Sequence, residues 1–259
     1  MSTRLTPATI GATARPMAIA RTGTKIDYPD CDGMPMADNT RQFEIIVTLQ
    51  GGLATLFMDH PDVFVAGDLL WYPVEGDNQL RVAPDVMVAF GRPPGHRGSY
   101  RQWCEEDIAP QVVFEILSPG NRSAEMARKF DFYQRYGVEE YYVHDPDRGL
   151  LKGWLRRAAR LTTISEMKDW VSPRLGIRFG LEGSDLVVWR PDGQRFESYI
   201  EVKKHSEAET RRARAAEQQA ESERQRTCVA EQQAKTERQR ADRLAERLRA
   251  LGLDPEANE

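Results

Sequence analysis

Apolar residues recur at helical spacing in two stretches ahead of residue 200. In the first, Ile46, Leu49, Leu53 and Leu56 mark one face of a helix that opens at Asn39, with Gln42 placed to close a capping box, and stops before His60-Pro61. The pair Gly51-Gly52 weakens or bends it. In the second, Met126, Phe130 and Tyr133 form the stripe of a helix from about Ser123 to Tyr136, with Gly137 as its stop. Between and after these helices the pattern changes to β-formers. VFVAGDLLWYP (63–73) and LRVAPDVMVAF (80–90) read as strands around a turn at EGDN (75–78), with Pro84 acceptable only at an edge or bulge. QVVFEILS (111–118) is nearly continuous and suits a strand buried on both faces. EEYYVHDP (139–146) reads as the next strand, so residues 111–146 predict a strand–helix–strand crossover at a largely parallel centre. Shorter strands are expected near 150–156, 159–165 and 185–190.

After about residue 203 the pattern is different again. Ala, Glu, Gln and Arg dominate, and AEQQAESERQR (216–226) recurs as AEQQAKTERQR (230–240), an offset of 14 residues or two heptads. Ala213, Ala220, Thr227, Ala234, Ala241 and Leu248 share one heptad position. Ala216, Ala230, Leu244 and Leu251 share the other, which Glu223 and Glu237 interrupt. A weak coiled-coil seam and a solvated single helix both fit. The expected organisation is a mobile arm (1–37), a packed domain (38–200), a charged helix (203–251) and a disordered tail (252–259).

Composition narrows the classes. The chain has 259 residues and a net charge of -4, which argues against a protein that holds nucleic acid through a basic surface alone and allows one whose acids hold metal ions. The three cysteines, Cys31, Cys104 and Cys228, are widely spaced, giving neither a disulfide framework nor a zinc signal and suiting a reducing cytoplasm. No apolar run is long enough to span a bilayer, so no membrane association is expected. The first 25 residues read as a leader without a secretory apolar core. No phosphate-binding loop, GxSxG, HExxH or dinucleotide glycine pattern occurs.

The candidate chemistry is Asp85 on one strand, Glu115 on the next and Lys129 on the following helix. Two carboxylates on adjacent strands can share a hard divalent cation, and a lysine beside them can neutralise charge developing on a phosphate. Each has a plainer role open to it: Asp85 as a turn residue, Lys129 as an i,i+4 partner of Glu125. Glu115 is harder to explain so, because a lone acid inside VVFEIL is costly to bury. Pro61-Asp62 is a second Pro-Asp pair, placed less naturally for a strand adjacent to Glu115. Arg92, Arg97 and Arg101, around Tyr100 and Trp103, are candidates for backbone contacts to nucleic acid or simply members of a solvated loop.

The segments VAPDVMV (82–88), VVFEILSPGNR (112–122) and KFDFYQRYGVEEYYVHDPD (129–147), in this order and spacing, resemble the Uma-type restriction-endonuclease family, a bacterial branch of the PD-(D/E)XK nuclease superfamily. The resemblance covers roughly residues 38–200. It implies an α/β (α+β) fold: a restriction-endonuclease-like αβββαβ core with a mixed central sheet flanked by helices, here extended by a long C-terminal helix. It implies catalysis by Asp85, Glu115 and Lys129, and Mg2+ or Mn2+ held by Asp85, Glu115 and the backbone carbonyl of Ile116. The superfamily's lysine stands two residues after the second acid. That position is Leu117 here, and Lys129 is the matching residue in this family. Tyr133, one turn along the same helix face, is an accessory candidate, as are Asp68 and Glu44. The implied activity is hydrolysis of DNA phosphodiester bonds by a cytoplasmic endonuclease. Alternatives are a catalytically inert nuclease-fold binding module that assembles through its C-terminal helix, and a nuclease of RNA or branched DNA. A homodimer, through the core or the C-terminal helix, would suit cutting both strands.

Overall fold

The computed structural model describes residues 26–251 except Asp32, Met34, Asn121 and Arg122. The expected leader (1–25) and tail (252–259) lie outside the described residues. The elements run α1 (Thr40–Leu56), β1 (Val63–Gly67), β2 (Trp71–Tyr72), β3 (Val86–Phe90), β4 (Tyr100–Arg101), β5 (Val112–Ile116), α2 (Ser123–Arg135), β6 (Glu140–Asp145), β7 (Leu150–Arg157), β8 (Arg160–Thr163), β9 (Arg178–Glu182), β10 (Asp185–Trp189) and α3 (Tyr199–Ala250).

A six-stranded sheet carries the fold in the order β1-β3-β5-β6-β7-β8. Only β5 and β6 pair in parallel within it; the other four pairings are antiparallel. The sheet is therefore mixed, as the resemblance implies, and its centre is less parallel than the crossover suggested. The reason lies in the connections: β6, β7 and β8 follow one another through short turns, which permit only antiparallel neighbours.

Alternation along the strands separates two apolar layers. Val86, Val88, Val112, Phe114 and Ile116 pack with Ile46, Leu49 and Leu53 of α1 and with Phe179 and Val188 of the β9–β10 hairpin. Met87, Ala89, Val113, Tyr141 and Val143 pack with Tyr133 of α2, Trp71 and Tyr100. At about 25 cal/mol per Å2, burial of side chains of this size is the main force that holds both helices to the sheet.

Helix α1 passes straight through Gly51-Gly52, and the glycines have a packing reason. A Cβ at Gly52 would sit 2.3 Å from the Phe196 ring, so the missing side chain admits Phe196 against the helix. The run 63–73 is two strands, because Asp68 takes a left-handed turn (φ 47°) that ends β1 and redirects the chain to β2. The β2 strand pairs in parallel with β4. Residues 26–31, placed in the arm by the sequence, lie against this corner: the Tyr72 hydroxyl donates to the Pro29 carbonyl at 2.7 Å, and Tyr28 packs on Tyr72 and Trp103.

The strand β9 (RFGLE) was not expected, since its polar ends break the apolar pattern. Helix α3 begins four residues before the expected 203, at a capping box in which Ser198 and Glu201 exchange hydrogen bonds.

Candidate active site

The acids meet under α2. Strands β3 and β5 are antiparallel with Val86 opposite Phe114 and Met87 opposite Val113, so one further residue sets Asp85 opposite Glu115. Met87 and Val113 face α2, and two residues along each strand Asp85 and Glu115 face the same way. Asp85 stands just ahead of β3, not within it as the run 80–90 suggested, because Pro84 before it has no N–H for a ladder. Its Oδ2 accepts instead from the Ile116 N–H at 2.6 Å, and the Asp68 N–H donates to its carbonyl at 3.2 Å.

Glu115 is 3% exposed. Its Oε2 accepts from Lys129 Nζ at 2.7 Å and its Oε1 from the Tyr133 hydroxyl at 2.5 Å. Lys129 and Tyr133 stand one turn apart on α2, so one helix face supplies both partners. Lys129 Nζ lies 3.4 Å from the Ala83 carbonyl. The i,i+4 pairing with Glu125 that would have explained Lys129 is not its nearest one.

The electrostatics follow from crowding. Burial first, then the negative charge of Glu115, pushes the Asp85 carboxyl well above its ordinary range, against the pull of Lys129 and the Ile116 N–H; Asp68 adds to the rise. Burial opposes the charge on Lys129, but Glu115 and Asp85 outweigh it and hold the ammonium above its ordinary value. Burial and then Glu115 push the Tyr133 hydroxyl far up, so it stays a proton donor. One ammonium thus faces two carboxylates in a water-poor pocket.

That excess negative charge is what a hard divalent cation would balance. Among the described residues no group of three or more His, Cys, Asp and Glu side chains could hold a metal ion. Asp85 and Glu115 could supply two oxygen ligands to such a cation. The Ile116 carbonyl already accepts from Gln42 Nε2 at 2.7 Å, leaving it one further lone pair.

Of the accessory candidates, Tyr133 joins the cluster, and Asp68 lies close enough for its charge to raise Asp85. Glu44 does not join it. A helix turns about 100° per residue, so Glu44 projects away from Gln42 two positions earlier, and it is exposed, lining a recess with Arg41, Asp185 and Phe196. Gln42 is the α1 residue that reaches the site. Sequence reasoning used it only as a cap; its amide instead accepts from the Asp38 N–H and donates to Ile116, 74 positions away, and no local signal announces that. Asp62 of the second Pro-Asp pair precedes β1 at the end where Val63 meets Phe90, opposite to the Gly67–Val86 end beside Asp85. The three loop arginines are engaged within the fold. Arg92 and Arg97 pair with Glu105 at 3.0 and 2.6 Å, and Arg101 reaches Ser99 and the Tyr28 carbonyl.

A cleft of about 700 Å3 opens between α2 and β6–β7, lined in part by Leu117, Phe130, Tyr141, Lys152 and Trp154; Asp85, Glu115 and Lys129 do not line it. The Tyr141 hydroxyl is buried and has no hydrogen-bond partner among the described residues, and its pKa is pushed far up by burial and then by Glu115 and Asp85.

A mixed sheet that presents two acids from neighbouring strands, with a lysine from the helix that follows, is the arrangement of a restriction-endonuclease-like protein. Residues 23–188, well over half of the chain, match the family model Uma2, described as "Putative restriction endonuclease", and the chain belongs to that family. Among solved structures, the chain is similar to a protein from Anabaena variabilis ATCC 29413 described as a putative nuclease belonging to DUF820. The two are 17% identical over 57% of this chain and 75% of that one, with a TM-score of 0.40. No curated protein matches. Among the described residues, no helix is long and apolar enough to cross a membrane.

Proposed function

We propose that this chain is a divalent-metal-dependent endonuclease that hydrolyses DNA phosphodiester bonds at Asp85, Glu115 and Lys129. The observation that carries the reading is the convergence of Lys129 and Glu115 at 2.7 Å, with Asp85 set opposite Glu115 by the strand register. Bound at the two carboxylates, magnesium or manganese would polarise a phosphoryl oxygen and make water a better nucleophile. The chain's own groups do the rest. Tyr133 holds Glu115, and the Ile116 N–H holds Asp85, so both acids are positioned before substrate arrives. Lys129, kept charged by its neighbours, neutralises charge that develops on the phosphate. Gln42, from α1, fixes the Ile116–Leu117 peptide that follows the strand residue Glu115.

A second reading, an inert nuclease-fold module, has one observation in its favour: Lys129 and Tyr133 engage both oxygens of Glu115, as in a purely structural ion pair. A cleavage assay separates the two. Plasmid DNA incubated with the protein and magnesium or manganese should be cut, with cutting abolished by chelator and by Asp85→Ala or Glu115→Ala. Intact DNA under all conditions, or cutting by both variants as fast as by the wild type, would overturn the proposal; cutting of RNA alone would move the substrate and keep the site.

A further inference from the structure

The candidate active site draws no residue from α3. The helix runs for 52 residues, about 78 Å at 1.5 Å per residue, and buries no residue. Among the described residues it contains one ion pair, Lys203–Glu207 at 3.7 Å, so ion pairs do not lace it along its length. A helix surrounded by water on all sides lacks the packing from which helices in proteins draw most of their stability.

Its interruptions are as regular as its seam. With Ala213 to Leu248 at heptad position a, the glutamates at d fall at Glu209, Glu223 and Glu237, a spacing of 14, alternating with Ala216, Ala230 and Leu244. Each glutamate is followed three residues later, at position g, by Arg212, Arg226 or Arg240. Arg224 and Arg238 stand at the e positions directly after Glu223 and Glu237. The polar layers therefore carry their own countercharges, and the small a residues let two helices approach closely.

We propose that α3 pairs with α3 of a second copy of this chain as a parallel, in-register, two-stranded coiled coil. Charge selects the direction. In a parallel pair each g residue faces the e residue five positions on in the other helix. That sets Arg212 against the second copy's Glu217 and Arg226 against its Glu231, while Gln219 and Gln233 meet its Arg224 and Arg238. No like charges meet across these flanks, and Glu209, Glu223 and Glu237, which face their own counterparts at d, each have an arginine beside them at g. In an antiparallel pair g faces g, and the g positions hold Arg212, Arg226, Arg240 and Arg247 with no acid among them. The exposed apolar residues Val202, Leu244 and Leu251 fall at d and become covered at the two ends. Parallel pairing brings both sheet domains to the same end of the rod. If the nuclease reading holds, that is the geometry for presenting two cutting centres to the two strands of a duplex.

The test uses the full chain with Cys31, Cys104 and Cys228 changed to serine, and either Ala213→Cys at a or Glu237→Cys at d added, without metal or DNA. Under oxidation each variant should form a disulfide-linked dimer with itself. A mixture of the two, one carrying a mass tag, should give no 213–237 link. Links found only between the two variants would establish the antiparallel arrangement and overturn the proposal. So would no links together with a sedimentation mass of 29.5 kDa, that of one chain. Arg212→Glu with Arg226→Glu, in the otherwise unaltered chain, should weaken dimerisation at least about tenfold; an unchanged dissociation constant would overturn the charge argument. Cleavage does not enter these readouts, so failure here leaves the nuclease reading standing, and the reverse holds.

Discussion

Glu115 and Glu140 are both buried acids, 3% and 0% exposed, on the neighbouring parallel strands β5 and β6, and the protein treats them differently. Glu140 faces the α1 layer at the start of β6. It accepts from the Ser172 hydroxyl, from the Tyr142 hydroxyl at 2.8 Å and from the Arg174 N–H at 2.7 Å. Its immediate donors are neutral, and they fasten the 172–174 segment that leads into β9. Burial raises its ionisation, with these hydrogen bonds opposing in part. Glu115 faces α2 and is held by an ammonium while a second acid stands opposite it. An acid ringed by neutral donors is a clasp. An acid that shares one cation with another acid leaves negative charge unbalanced, and unbalanced negative charge is what can take up a metal cation.

The largest expected effect sharpens that contrast. Glu115→Gln should lower cleavage at least about a hundredfold while the protein stays folded, whereas Glu140→Gln should leave cleavage per folded molecule unchanged. A folded Glu140→Gln protein without activity would break the comparison. Lys129→Met comes next. It strands Glu115 without its cation, so cleavage should fall about a hundredfold and stability by about 3 kcal/mol in urea unfolding.

Glu140→Gln, by contrast, should show in stability, losing on the order of 1–3 kcal/mol because an amide NH2 cannot accept one of the three hydrogen bonds. Its pH dependence has a definite sign. Since the folded-state value lies above the ordinary 4.5, the stabilising contribution is full below that value and is lost as pH rises through the folded one. The difference in stability between wild type and Glu140→Gln should therefore shrink as pH rises through this window; a difference that grows would contradict the burial argument. The smallest effect belongs to Tyr133→Phe. It removes one hydrogen bond to Glu115, worth about 1 kcal/mol, and should slow cleavage only several-fold.

Much of this was legible in the sequence where the physics is local or continuous. VVFEIL announced β5 because a strand buried on both faces is apolar throughout, and Glu115 stood out within it for the same reason. Gly137, at φ 93°, announced the end of α2. The Lys129–Tyr133 spacing placed both side chains on one helix face. What escaped the reading depends on partners far along the chain. The Glu140 clasp joins residues 32 and 34 positions apart, and Gln42 meets Ile116 across 74. Glu44 was an error of helix face, choosing the acid near the site in sequence over the amide that points at it. The α3 start carries a local signal, the capping-box spacing of Ser198 and Glu201 ahead of the charged repeat.

The central claim is that Asp85 and Glu115 together hold a divalent cation, and manganese titration by calorimetry on wild type and Asp85→Ala tests it most directly. Binding at one site per chain is expected in the wild type, and its loss in the variant. Equal binding in both proteins, or none in the wild type, would contradict it.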